Sequence, residues 1–291
     1  MSEQERTASD DAQRLPEGAC DCHVHIYGPY DRFPAQLGSR FAPREEAPVE
    51  ALFRMWDSIG IARGVIVHAM SAGPDNGVTL DALRRFPQRL RGVAILGADV
   101  AERTLDEMTD AGFRGVRINL MRQDGRPVLQ GGTSLEDLKA LAPRLAARGW
   151  HAQLWVESGD LQAVAPEIEG LPLDLVVDHQ SRTMTDKGVD YEGFRWFCDR
   201  LRSGRYWCKL SGVDRNSRRG APYEDTDPFM KALVDANPDR LVWGTDWPHV
   251  GHDVAAVPSE RALIEALRRC VPDAELRRRI LVTNAERLYG F

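Results

Sequence analysis

Ala19-Cys20-Asp21-Cys22-His23-Val24-His25-Ile26-Tyr27-Gly28 is a short apolar run that ends in two histidines one residue apart. In a β-strand successive side chains alternate between faces, so His23 and His25 point to one side and Val24 to the other. Two imidazoles converging on one spot suit a metal ion, or a carbonyl oxygen that must be polarised as charge builds on it. A His-x-His pair is a weak signal alone, and its meaning depends on what the rest of the chain brings to it.

Outward from this run, strand-like and helix-like stretches alternate. Strand patterns fall at residues 19–25, 64–70, 91–96, 113–119, 150–157, 173–179, 206–211 and 240–246. Between them, helical spacing occupies about 49–59, a stretch capped by Asp75 and Asn76 and running to Arg85, 101–111, a stretch ending at Gly149, 159–169, 190–202, 226–236 and 258–270. Ser134 and Asp137 have capping-box spacing, with Asp in place of the usual Glu. A long loop rich in Pro, Gly and aromatic residues follows the first strand up to Pro48, and loops of that length are more often functional than idle.

Strands this apolar on both faces, each followed by a crossover helix, indicate a parallel sheet. Eight such units in 291 residues favour a closed (β/α)8 TIM-like barrel over an open doubly wound sheet, as one domain over residues 19–291 with an extra C-terminal helical tail. Residues 1–18 are polar and charged without an apolar core, and are expected to form a flexible N-terminal arm rather than a signal peptide. No Gly-x-Gly-x-x-Gly follows the first strand to suggest a dinucleotide site.

Composition narrows the function. The net charge of −6 comes from 38 basic and 44 acidic residues, and the arginines are scattered beside acids, so no basic field is available for a nucleic acid backbone. No apolar run approaches the roughly 18–20 residues of a membrane span. Five cysteines without a repeated spacing fit a reducing compartment, and a cytoplasmic protein with a small-molecule partner is expected. The sequence sets no oligomeric state.

In a barrel of this type catalytic groups stand at the C-terminal ends of the strands. That rule selects His23 and His25 on the first strand, Arg117 on the fourth, Trp155 on the fifth, Asp178-His179 ending the sixth and Gly244-Thr245-Asp246-Trp247-Pro248-His249 ending the eighth. Alternation along the sixth strand turns Asp178 to the face opposite His179. A buried carboxylate and several imidazoles at one mouth are costly unless they pair with each other or with a substrate. Lys209 is expected to face away from the lumen, His68 to be structural, and His252 has no assigned role.

The segments DCHVHIYG, RGVRINL, VVDHQSR and VWGTDWPH, in this order and these places, resemble the amidohydrolase superfamily of the amidohydrolase-2 type. The resemblance is strongest to the group of 2-pyrone-4,6-dicarboxylate hydrolases and sugar lactonases, and runs from about residue 19 to the end. Many members of the superfamily hold one or two divalent metals. Here the fifth strand departs from the metal-binding pattern, since His151 lies at the wrong end of the barrel, and the fourth strand carries Arg117 instead of a bridging lysine. The resembling dicarboxylate hydrolases work without metal, so a metal-independent lactone hydrolase is expected.

The residues then divide by role. Asp246 is the expected general base that takes a proton from the attacking water, and His23, His25 and His179 polarise the lactone carbonyl. Arg117 and Arg215 are expected to grip a substrate carboxylate in bidentate fashion, with Arg122, Trp155, Ser71 and His249 completing the pocket. An arginine of the dicarboxylate pattern falls on Gln123 here, beside Arg122, which makes a sugar lactone or muconolactone a plausible substrate. The alternatives are a zinc-dependent hydrolase or decarboxylase using His23, His25, His179 and Asp246 as ligands, with one zinc at His23, His25 and Asp246, a lactone isomerase on the same site, or a barrel that binds a carboxylated ligand without turning it over.

Overall fold

A parallel strand needs a crossover to return to the same end of its sheet, and each strand pattern in this chain is followed by a helix able to make one. The computed structural model describes residues 15–35, 41–43, 45–73, 75–128 and 131–291. Its main strands are β1 (Cys20–Val24), β2 (Arg63–Val67), β3 (Leu90–Ala94), β4 (Phe113–Asn119), β5 (His151–Trp155), β6 (Leu175–Val177), β7 (Tyr206–Leu210) and β8 (Leu241–Trp243). They form one sheet in chain order with every ladder parallel. The sheet curls back on itself where Val24 bridges to Trp247. There the His25 amide donates to the Trp247 carbonyl at 2.7 Å, and the Asp246 amide to that of His23 at 2.8 Å. The fold is the expected (β/α)8 barrel.

The crossover helices are α1 (Val49–Ile59), α2 (Gly77–Arg85), α3 (Glu102–Ala111), α4 (Leu135–Ala146), α5 (Ser158–Ile168), α6 (Glu192–Arg202), α7 (Asp227–Ala236) and α8 (Glu260–Cys270). Each turns an apolar stripe inward, as Val49, Leu52 and Trp56 do on α1. The expected capping box starts α4: Ser134 Oγ accepts from the Asp137 amide, and the Asp137 carboxylate accepts from the Ser134 amide, both at 3.0 Å. Asn76 does not cap α2 with its side chain. Its amide group instead pairs with both backbone groups of Ile95, at 2.8 and 2.9 Å, and so ties α2 to the end of β3.

Two apolar layers result from the strand alternation. Leu175 and Val177 on β6 face the helices, while Cys20, Cys22, Val65, Val67, Val93, Val176, Trp207 and Val242 fill the lumen together with Ala285, Leu288 and Tyr289. The last three belong to a tail helix, Asn284–Tyr289, so the expected C-terminal tail plugs the bottom of the barrel. Asn284 anchors it by donating to the Leu241 carbonyl at 2.7 Å, at the start of β8. Burial of Leu288 contributes about 2 kcal/mol of transfer free energy to that plug. Of the arm expected over residues 1–18, residues 1–14 lie outside the described residues, and Leu15 packs against the core.

One irregularity in β1 positions the site. Cys20 and Cys22 face the lumen, and Asp21 faces outward to accept from the Trp56 indole at 3.1 Å. Strict alternation would next turn His23 outward. The ladder to β2 shifts register between Asp21 and Val24, which re-aims the strand so that His23 also faces inward and Val24 joins the outer layer. The carbonyl of Cys22 meets the ammonium of Lys209 at 2.8 Å.

Candidate active site

The C-terminal ends of β1, β6 and β8 bring Asp246 and three imidazoles together. Oδ1 of Asp246 lies 3.3 Å from Nε2 of His25, 3.6 Å from Nε2 of His23 and 3.9 Å from Nε2 of His179. Close approach of β8 to β1 requires Gly244, where a Cβ would stand 2.6 Å from the His23 amide nitrogen. Gly212 does the same for His179, with a positive φ of 72° and room for no Cβ.

Each ring is held from its far side. His25 Nδ1 is 2.7 Å from the Val67 carbonyl, and because a carbonyl only accepts, Nδ1 carries a proton. His179 Nδ1 pairs with Ser211 Oγ at 2.9 Å. His23 Nδ1 faces Asp178 Oδ1 at 3.2 Å and Lys209 Nζ at 3.4 Å. Burial lowers the His23 imidazole to about 3 and holds His179 well below the ordinary range, so both are neutral at physiological pH. Burial pushes the Asp246 carboxyl up, but the charge of Arg215 foremost, with a hydrogen bond to His25, overcomes it and holds the group well below the usual carboxylate range.

Asp178 departs from the expected geometry. Strand β6 stops at Val177, and His179 through Arg182 follow with positive φ values of 47–56°, so alternation ends before Asp178 and both it and His179 enter the lumen. Asp178 is fully buried. It pairs with His23 on one oxygen, and on the other accepts from Arg117 Nε at 2.9 Å and Gln153 Nε2 at 3.2 Å. Lys209 likewise faces inward, against expectation, because Cys22 and Gln153 give its ammonium two buried acceptors at 2.8 and 2.7 Å. Burial lowers its pKa to about 8.

The cavity above the cup holds about 550 Å³ and its wall carries Arg117, Arg122, Arg182, Arg215 and Arg218. Arg117 stacks over Trp155, its guanidinium carbon 5.1 Å from the ring centre. Arg215 is paired within the chain: Nε and Nη2 reach Asp246 Oδ2 at 2.9 and 2.8 Å, and Nη1 donates to the Val250 carbonyl. Arg122 lies exposed on a two-residue ribbon, Arg122–Gln123 with Arg126–Pro127, at the rim. Ser71 lines the wall, with its hydroxyl donating to the Phe41 carbonyl at 2.9 Å and 3.0 Å from the Tyr27 hydroxyl.

His249 is not in the cavity wall. It is buried against α8, where Nε2 meets Glu260 at 3.3 Å, because a left-handed turn at His249 swings the side chain toward the helix shell. His68 lines the cavity, its ring bonded to Thr79 Oγ1 and the Gly73 carbonyl at 2.8 and 2.7 Å. Sequence reasoning missed Arg182, which follows the left-handed turn after His179, and Asp21, which clasps the Thr245 amide and hydroxyl at 2.9 and 2.6 Å. The local signal for Asp21, alternation back from His23 and His25, pointed into the lumen and misled, because β1 shifts register between Asp21 and Val24. Arg182 had none, since its orientation depends on four positive φ values.

The comparisons agree with this geometry. The amidohydrolase family model matches residues 20–291. A 4-sulfomuconolactone hydrolase of Hydrogenophaga intermedia is 36% identical over 277 residues, covering 95% of this chain and 90% of the relative. A 2-pyrone-4,6-dicarboxylate hydrolase of Comamonas testosteroni is 34% identical, covering 95% of this chain and 91% of the relative. A crystal structure from Acinetobacter baumannii, provisionally described as a 2-pyrone-4,6-dicarboxylic acid hydrolase with citric acid bound, superposes with a TM-score of 0.80 at 25% identity, covering 94% of this chain and 100% of that one. Fold, motif order and extent of match together place this chain in the amidohydrolase family.

Proposed function

We propose that this protein hydrolyses a carboxylated lactone, with Asp246 as the general base and without a metal ion. The observation that carries the reading is the Asp246 oxygen at 3.3–3.9 Å from three imidazole nitrogens, on the floor of a cavity walled by arginines. A lactone carbonyl above the cup is attacked by water while Asp246 takes the water's proton. In this reading Ser211 is the donor to His179 Nδ1, which leaves Nε2–H for the developing oxyanion, a kind of donor whose removal costs about 3 kcal/mol in well-studied sites. Arg117, beside Trp155, and the rim Arg122 supply the positive wall that a carboxylate seeks.

Two acceptors, His25 Nε2 and Asp246 Oδ1, face each other at 3.3 Å, so either a shared proton or a cation joins them. In the metal-free reading it is a proton, which His25 Nε2 offers to the carbonyl oxygen when substrate arrives, with the ring held in place through Nδ1. The specific observation for a second reading is that His23 Nε2, buried, has no hydrogen-bond partner among the described residues. His23, His25 and Asp246, with ligand atoms all within 4.8 Å of one another, fit a single zinc ion, and His179 stands beside them. Such an ion supplies a bound water of lowered pKa.

The test is turnover of a panel of carboxylated lactones in heavy-oxygen water, with metal analysis of the same preparation. Ring opening with label in the product and without stoichiometric metal is the expected result. Ring migration without label supports isomerisation, zinc in equal proportion with loss of activity on its removal supports the metal reading, and binding without turnover removes the enzyme.

A further inference from the structure

His252, six residues beyond Asp246, takes part in no step above. Its Nε2 lies 2.6 Å from Oδ2 of Asp214. The Asp214 side chain is 1% exposed, and its other oxygen has no hydrogen-bond partner among the described residues. Both residues line the cavity. Arg215 ties this pair to the base, since its Nε is 2.9 Å from Asp246 Oδ2 and 3.6 Å from Asp214 Oδ2. The imidazole pair therefore stands one guanidinium away from the group that activates water.

A buried carboxylate at one ring nitrogen fixes the ring's orientation and leaves Nδ1 for another partner. The charged and titratable groups around the pair are Arg215, Arg182 and Tyr223, with Arg218 beyond Arg182 and Asp246 beyond Arg215. In a lactone the attacked carbon and the departing ring oxygen are bonded neighbours. A base and an acid serving the two need separate supports at one cavity, and Arg215 links those supports here, between Asp246 and the Asp214 that holds His252.

Resting on the lactone-hydrolase reading, we propose that His252 is the acid that protonates the ring oxygen as it leaves, and that Asp214 is the residue that positions it. The water oxygen forms a bond to the carbonyl carbon and one water proton passes to Asp246. The bond from that carbon to the ring oxygen breaks, its electron pair stays on the oxygen, and the Nδ1 proton of His252 goes there. The products are a carboxylic acid and a hydroxyl group. Asp246 then loses its proton to solvent and His252 regains one, so that one water is consumed. An acid here extends the substrate class to lactones whose ring oxygen leaves as an alkoxide, the poorer leaving group.

The experiment compares two carboxylated lactones, one releasing a stabilised enolate and one an alkoxide, with the wild type, His252→Gln and Asp214→Asn, after circular dichroism has shown each variant folded. His252→Gln is expected to lower kcat for the alkoxide substrate by about 10²-fold or more and for the enolate substrate by less than about tenfold, with KM little changed. Asp214→Asn, which keeps the side-chain shape, should show the same ordering of the two substrates and serves if His252→Gln does not fold. Equal losses on both substrates, a change confined to KM, or a wild type that opens only the enolate lactone overturns the proposal. Failure of the wild type on both lactones overturns the hydrolase reading as well, whereas undiminished turnover by His252→Gln removes the role of His252 alone.

Discussion

Gly244→Ala tests whether the distance between β1 and β8 controls activity. The added Cβ would sit 2.6 Å from the His23 amide nitrogen and 2.8 Å from the His23 Cβ. Neither neighbour can rotate away, because one is backbone and the other is fixed by it. Restoring ordinary contact requires the two strand ends to part by roughly 1 Å, in an interior that is close-packed. The same hinge carries the bond from the Asp246 amide to the His23 carbonyl, so Asp246 moves away from His23 and His25 together. Overpacking of this kind costs about 1–3 kcal/mol of stability, and a misplacement of about 1 Å in the reacting groups costs about 10²-fold in rate. The assay is kcat/KM for lactone opening, beside a thermal melt showing that the variant folds. A folded Gly244→Ala protein with wild-type kcat/KM would refute the view that this contact sets the geometry.

Three further outcomes follow from the buried charges. Lys209→Met leaves the Cys22 carbonyl, Gln153 and Asp178 without their cation, and denaturant unfolding should show a loss of about 3–5 kcal/mol; a loss under about 1 kcal/mol contradicts the network. Arg215→Gln removes the leading attraction that counters burial at Asp246, so the acid limb of kcat/KM should move to higher pH, and an unmoved limb counts against Asp246 as the titrating base. Burial holds His68 at about 4 and His23 and His151 at about 3. The unfolded chain binds these protons below its ordinary imidazole pKa of about 6.5 while the native state refuses them, so stability is lost as pH falls from there toward 4. Asp21, raised to about 6 by burial, works in the opposite sense, but one carboxyl is outweighed by three imidazoles, and an unfolding free energy that is level or rising from pH 6.5 to 4.5 would contradict this balance.

The alternation of eight apolar runs with helical runs was enough to read the barrel, because strand and helix periods are local properties of the sequence. The paired histidines and the Gly-Thr-Asp turn were legible for the same reason: each stands at the end of a run, and the barrel's topology brings those ends together. What failed was orientation where alternation breaks. Asp178 was placed on the wrong face since β6 ends two residues early, and His249 was placed in the pocket since a single positive φ turns it to α8. Lys209 was misjudged in another way, and the pairing of Arg215 was not read at all. Their partners, Gln153 with Cys22 and Asp246, are more than thirty residues away in each case, and no local spacing records such pairings.

The most direct test of the account is kcat/KM of Asp246→Asn on a carboxylated lactone that the wild type opens. Asparagine keeps the shape beside Arg215 and the imidazoles but takes up no proton, and general-base catalysis is worth about 10²–10⁴-fold. A loss in that range, mainly in kcat and with the fold retained, is the predicted result. Turnover within about threefold of the wild type would mean that water is activated elsewhere and would contradict the central claim.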